Sequence, residues 1–265
     1  MKLTFAFFRQ SFHNTAVYKF EFWLQLFNTF LLMYAVHWVW KVLYGQNPDA
    51  FGVNLQQMIS YGILGIAFEL IFYHTDGPNT YISKSVKSGA ITNELIKPLD
   101  FHLHMFSRNL GEICFKFLIL VIPSIIIAYI FLDLIPIENF LTLIYFLTSF
   151  LLGYLVLFSL NFLIGLIAII TLDIDGIEWG YYALLRFFGG QMIPLWLFPS
   201  FLEGISNILP FKAIYYIPMS IYIGKFNSNE IIEALLFQGL WLLILVIFGR
   251  LLWRLVYSRV TVQGG

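Results

Sequence analysis

The stretch FLTLIYFLTSFLLGYLVLFSLNFLIGLIAIITL, from Phe140 to Leu172, contains no Asp, Glu, Lys or Arg. The hydrocarbon core of a bilayer is crossed by about 20 apolar residues of helix. This run is longer than that, so as a span it must tilt or project beyond the lipid. The whole chain has the same character. Its 265 residues are 60% hydrophobic and 11% charged, whereas a soluble domain has about 25% charged residues. So much apolar surface does not fit into one soluble core, and the solvent is therefore read as lipid. The net charge of zero offers no basic surface to nucleic acid. Cys114, the single cysteine, excludes an intramolecular disulfide and a multi-cysteine zinc site. It reads as a small apolar residue packed in a span.

Outward from Phe140, the same criterion places spans at about residues 20–43, 58–73 and 113–132 on one side and 231–256 on the other. YGQNPDAFGVN (Tyr44–Asn54) and DLIPIEN (Asp133–Asn139) are turns rich in Gly, Pro and Asn. Residues 177–208 are apolar but interrupted by Gly189–Gly190, Pro194 and Pro199, with Pro210 beyond. A continuous helix is broken there. Broken backbone at membrane depth persists only when buried in protein or facing a water-filled cavity. The expected form is one crossing followed by a short re-entrant or interfacial helix. Residues 1–19 lack the apolar core and small-residue cleavage site of a signal peptide. Phe5, Phe8 and Phe12 instead oppose Lys2, Arg9 and His13, the pattern of an interfacial helix. The expected architecture is thus a single all-α integral membrane domain of six transmembrane helices, an N-terminal interfacial helix and a broken segment before the last span. Placing both termini in the cytoplasm leaves only Lys41, Lys212 and Lys225 of the 15 Lys and Arg residues outside, a strong positive-inside bias.

One polar insert interrupts the spans, from residue 74 to 112. Within KSGAITNELIKPLDFHLHMFSR (Lys87–Arg108), Gly89 can close a helix that includes YISKSVKS. Pro98 disfavours helix at Lys97. Between them AITNELIK has room for about two turns, with Ile91 and Leu95 on one face. Asp100 can cap a new helix that leads into the third span. The result is a short amphipathic piece at the cytoplasmic surface, suited to a groove on a soluble partner.

Catalytic motifs are scarce. No phosphate-cradling G-x-x-x-x-G-K-[ST] occurs. FGGQM (Phe188–Met192) has the Gly-Gly-Gln of an ATPase signature without its Ser, and reads as a glycine break. Asp173 and Asp175 form a D-x-D pair that could hold Mg²⁺, but a polar loop is expected there in any case. His37, Asn28, Glu69, Asn161 and Gln191 are polar residues at or near membrane depth, where such groups are often functional. Of these, Glu69, Asn161 and Gln191 are candidates for a substrate path.

Taken in order, these features resemble the permease subunits of type-2 ABC exporters over nearly the whole chain. The resemblance rests on the interfacial helix and six spans, and on GAITNELIKPL (Gly89–Leu99) in the place of the coupling helix. It rests further on GGQMIPLWLFPSFLEGISNILPF (Gly189–Phe211) and on the terminal VQGG, which looks like the close of one bacterial permease subfamily. It implies a chain in the bacterial inner membrane that hydrolyses nothing and binds no cofactor itself. ATP and Mg²⁺ would be bound by two cytosolic ATPase subunits, and a second permease, identical or related, would complete the pore. Ile91, Glu94, Leu95 and Lys97 would contact the ATPase. The stretch 193–211, with Pro194, Pro199, Pro210 and Phe211, would form a re-entrant extracellular gate. The substrate expected is amphipathic or lipid-like. Two alternatives stand beside this reading: an enzyme acting on lipid-linked phosphates through Asp173 and Asp175, and a proton-driven transporter using Glu69 or His37.

Overall fold

A computed structural model describes residues 7, 9–11, 19–46, 51–72, 77–97 and 100–257. Every regular element among them is helical. Of the expected interfacial helix over residues 1–19, Phe7 and residues 9–11 are described, as helix, and Lys19 opens the next helix. The rest of that helix, Pro98 and the terminal VQGG lie outside the described residues.

Helix α1 (Lys19–Gln46) packs against α2 (Leu55–Phe72). Short helices α3 (Pro78–Lys87) and α4 (Ile91–Leu95) follow. Gly89 ends the first of them in a left-handed conformation, φ 74°, where a Cβ would be strained. Helix α5 (Phe101–Lys116) opens on Asp100, whose carboxylate accepts the Leu103 N–H at 2.9 Å. This cap satisfies one of the N–H groups left over at a helix start. The chain then passes through a π-helical turn, Phe117–Val121, into α6 (Ile122–Phe131). Pro123 cannot donate a backbone hydrogen bond, and a wider turn immediately before it accommodates that loss. The helix expected after Asp100, within the insert of residues 74–112, is present and runs on toward the third span. Residues 101–112 already belong to the long helix, because Asp100 starts it and Phe101 and Met105 bury one face.

Helix α7 (Phe140–Thr171) is the central post. At about 1.5 Å per residue its 32 residues extend about 48 Å. It packs against α11 (Ser228–Tyr257) along much of that length, and against α3 at one end. Small residues set these approaches. A Cβ on Gly165 would meet Ile82 Cδ1 at 2.8 Å, and one on Gly153 would meet the Ala213 carbonyl oxygen at 2.7 Å. Gln238 of α11, fully buried, donates to the carbonyls of Ser149 (3.0 Å) and Ala213 (2.7 Å), tying both helices to the broken region.

That region consists of α8 (Asp175–Phe188), a 3₁₀ turn at Leu195–Leu197, α9 (Ser200–Ile208), a second 3₁₀ turn at Pro210–Ala213, and α10 (Tyr216–Tyr222). Pro194 and Pro199 each stand immediately before a helical piece, and Pro210 begins one, positions at which a missing N–H costs nothing. The ends of the excursion meet: Tyr216 N–H donates to the Gly189 carbonyl at 3.0 Å. Five helical stretches are long and apolar enough to cross a bilayer: Phe22–Gln46, Leu55–Phe72, Phe101–Phe131, Phe140–Thr171 and Ser228–Tyr257. No single helix among the described residues of 175–222 meets that standard.

The packing at residue 153 is testable. Gly153→Ala is expected to destabilise the protein by about 1–3 kcal/mol through overpacking and to lower its melting temperature in detergent. Gly204→Ala, on a helix with open space around it, is expected to leave melting unchanged or raise it. Equal melting of G153A and wild type would contradict the close approach.

Candidate functional site

Helix α5 carries His104, Arg108, Glu112 and Lys116 at four-residue intervals, which aligns them along one helix face. They line a cavity of about 830 Å³ with α1, α2, Tyr81 of α3, and the α4 segment. Helix α1 contributes Phe22, Gln25, Asn28, Thr29 and Leu32, and α2 contributes Ile66, Glu69 and Leu70. Phe7, Gln10 and Ser11 close one side.

The carboxylates of this cavity are matched to cations. Glu94 receives Lys97 Nζ at 2.7 Å, lies 2.8 Å from His104 Nε2, and accepts the Tyr81 hydroxyl at 2.9 Å. Burial alone would raise its pKa, but the hydrogen bonds from His104, Lys97 and Tyr81 outweigh that and hold the carboxyl at about 2. Glu112 pairs with Lys116 at 2.9 Å, one turn along α5. Glu69 pairs with Arg186 of α8 and accepts from Gln191 Nε2 at 2.9 Å. The Gln191 amide also reaches the Gly65 carbonyl at 3.3 Å, where a Cβ on residue 65 would meet the Gln191 carbonyl oxygen at 2.7 Å. Arg108 differs from these cations. Its guanidinium lies 3.4 Å from the centre of the Tyr81 ring, and no carboxylate among the described residues forms an ion pair with it.

The expected site residues therefore separate. Glu69 and Gln191 are brought together, and Glu69 faces the cavity. Asn161 lies elsewhere, buried on α7 and accepting the Tyr181 hydroxyl at 2.8 Å. In the α4 segment, Ile91 is buried and Glu94 points into the protein, so both fasten the element to the body. Leu95 and Lys97 are half-buried. The outward residues are Asn93 and Ile96, and Ile96 is 78% exposed. Asp173 and Asp175 both contact Lys87 Nζ, at 2.8 and 3.0 Å, so an ammonium stands between the two carboxylates. The Lys87 hydrogen bond holds Asp173 at about 2, and Asp173 with Asp175 raises the Lys87 pKa. His37 Nδ1 lies 3.1 Å from the Leu132 carbonyl at the opposite end. Phe211 is half-buried and its ring faces Tyr181 at 6.5 Å.

Sequence reading overlooked Arg186, Arg108 and Ile96. Arg186 had a visible signal, as the one arginine between Arg108 and Arg250, with Glu69 the one charged residue of α2 as its complement. The four-residue stripe of α5 lies in the helix expected after Asp100, but its spacing shows only that the residues share a face, not that the face lines a cavity.

A chain of stacked apolar helices with charged pairs buried at one end is a multi-pass integral membrane protein. The family model of ABC-2 family transporter proteins matches residues 17–264, and the chain belongs to that family. It is a permease of an ABC transporter, a family that points to a non-catalytic transmembrane component partnered with ABC ATPase subunits. No curated protein matches it.

Two measurements probe these pairs. Glu69→Ala removes the carboxylate that pairs with Arg186 and is expected to destabilise by about 3 kcal/mol. Adding Arg186→Met should recover more than half of that loss in a double-mutant cycle, whereas additive losses would contradict the pairing. For Glu94, the folded pKa of about 2 lies below the ordinary 4.5. Its contribution is complete above 4.5 and is lost as pH falls toward 2. The melting difference between wild type and Glu94→Gln should be constant from about pH 7 to 5 and shrink below that. A constant difference down to the folded pKa would contradict the assignment.

Proposed function

We propose that the chain is the membrane-spanning subunit of an ATP-driven exporter in a bacterial inner membrane, with both termini in the cytoplasm. The end bearing α3 and α4 carries Lys84, Lys87, Lys97, Arg250 and Arg254, and Lys41, Lys212 and Lys225 belong to the rest. This bias favours the cytoplasm for the α4 end. The fifth of six crossings is then the broken path α8 and α10. Their 14 and 7 residues together rise about 30 Å, the thickness of the hydrocarbon core. The excursion of residues 190–215 leaves and rejoins that path and serves as the gate on the outer side. Pro194, Pro199 and Pro210 punctuate it, and Phe211 lies at its return. Its Trp196 indole N–H donates to the Phe51 carbonyl at 3.0 Å, in the loop opposite α4.

The observation that carries the coupling role is the exposure of Ile96. A five-residue helix is too short to stand alone. Here Ile91 and Glu94 hold it to the body while Asn93 and Ile96 face outward. Leu95 and Lys97 border that face. This is the geometry of a handle: fixed on one side, with Ile96 as an apolar contact on the other, and presented to a soluble partner. Two cytosolic ATPases bind ATP and Mg²⁺, and the permease itself binds neither. A second permease, identical or related, completes the path for an amphipathic or lipid-like substrate. No nucleic acid takes part.

Ile96→Asp tests this directly. The variant is expected to insert and melt like wild type, but to lose at least tenfold in co-purified ATPase and to abolish substrate-stimulated hydrolysis. Leu95→Asp is expected to act in the same direction and to destabilise the element as well. Undiminished ATPase association in both variants would remove the coupling role.

A further inference from the structure

The α1–α2–α5 cavity is lined by three carboxylates, Glu69, Glu94 and Glu112, and three cations, Lys97, Arg108 and Lys116, but Arg186, from outside the lining, takes Glu69 and so leaves one lining cation over. Glu94 is covered by Lys97, Glu112 by Lys116, and Glu69 by Arg186. A cationic ligand would therefore find each carboxylate already engaged. Arg108 lines the same cavity with no carboxylate among the described residues paired to it, its Nε is buried without a hydrogen-bond partner among them, and its guanidinium carbon sits 3.4 Å from the centre of the Tyr81 ring. A guanidinium presents a planar fork of donors that fits carboxylate or phosphate in two parallel hydrogen bonds. Arg108 stands seven residues beyond Phe101, the first residue of α5, about 10 Å up the helix. Unpaired charge in such surroundings is costly and marks functional positions. The α1–α2 wall of the cavity is mixed: Phe22 and Leu32 of α1 and Ile66 and Leu70 of α2 supply apolar surface, alternating with Gln25, Asn28, Thr29 and Glu69.

We infer that this cavity receives an amphiphile with one phosphate or carboxylate headgroup, anchored by Arg108, with its tail along the α1–α2 wall. The inference takes the permease reading as given, because it specifies the chemical class of the cargo. It adds a sign to that class: anionic cargo is accepted and cationic cargo of equal tail length is not.

The test uses the full chain alone in nanodiscs of zwitterionic lipid, titrated with dodecyl phosphate, dodecyltrimethylammonium and inorganic phosphate. ATPase pairing does not enter this measurement, so its failure is distinct from a failure of the exporter reading. Dodecyl phosphate should bind at least tenfold more tightly than dodecyltrimethylammonium. Arg108→Gln should weaken dodecyl phosphate at least tenfold, and Arg108→Lys less. Leu32→Trp, which fills space at the α1–α2 wall and leaves Arg108 in place, should weaken dodecyl phosphate as well, and it decides the matter if R108Q does not fold. Equal affinity for the two amphiphiles, or unchanged binding in R108Q or, where that variant does not fold, in L32W, overturns the inference. Inorganic phosphate binding as tightly as dodecyl phosphate also overturns it, because the site would then select a free anion.

Discussion

A helix broken among apolar helices persists only if its freed backbone groups find partners, since lipid supplies none. The region from Asp175 to Tyr222 is organised around this constraint. Gly189 and Gly190 donate back to Leu185 and Phe187, and Gln191 donates to Arg186, closing the end of α8. The Gly189 carbonyl accepts from Tyr216, where the chain returns, and the Gly190 carbonyl accepts the Tyr61 hydroxyl at 2.5 Å. The Ala213 carbonyl accepts from Gln238. With these bonds the break becomes a defined junction, and α7, α2 and α11 can pack against it closely enough that Gly153 and Gly65 admit no side chain.

The same junction carries the buried charge. Arg186 lies on the last turn of α8 and Gln191 just beyond the glycines, and both converge on Glu69 of α2. Helix α3 meets α4 through Tyr81, which donates to Glu94. Glu69, Tyr81 and Glu94 line one cavity, which thus borders both the α4 element and the helix that holds Gln191 at the start of the excursion.

Much of the architecture was legible in the sequence. The uncharged run from Phe140, the Gly and Pro interruptions after Gly189, Gly89 as a helix terminator and Asp100 as a cap all correspond to structure, because each is a local effect of hydropathy or backbone geometry. Where the reading fell short, the cause was tertiary. Residues 101–112 read as polar insert behind a capped helix start, and nothing in their pattern shows that His104, Arg108 and Glu112 line a cavity. Glu94 looked like a surface contact, but Lys97, His104 and Tyr81 draw it inward. Ile96 was passed over for Ile91 and Leu95, since the direction of a short helix depends on what anchors it. The π turn before Pro123 has no pattern of hydropathy to announce it.

The account depends most on Ile96 standing at the cytoplasmic surface against a motor subunit. A photo-activated cross-linking residue at position 96, introduced into the intact complex in membranes, reads this directly. The predicted result is one cross-linked product with an ABC ATPase chain, whose yield changes when ATP is added. Labelling of position 96 by an impermeant reagent from outside intact cells, with no ATPase adduct, would contradict it.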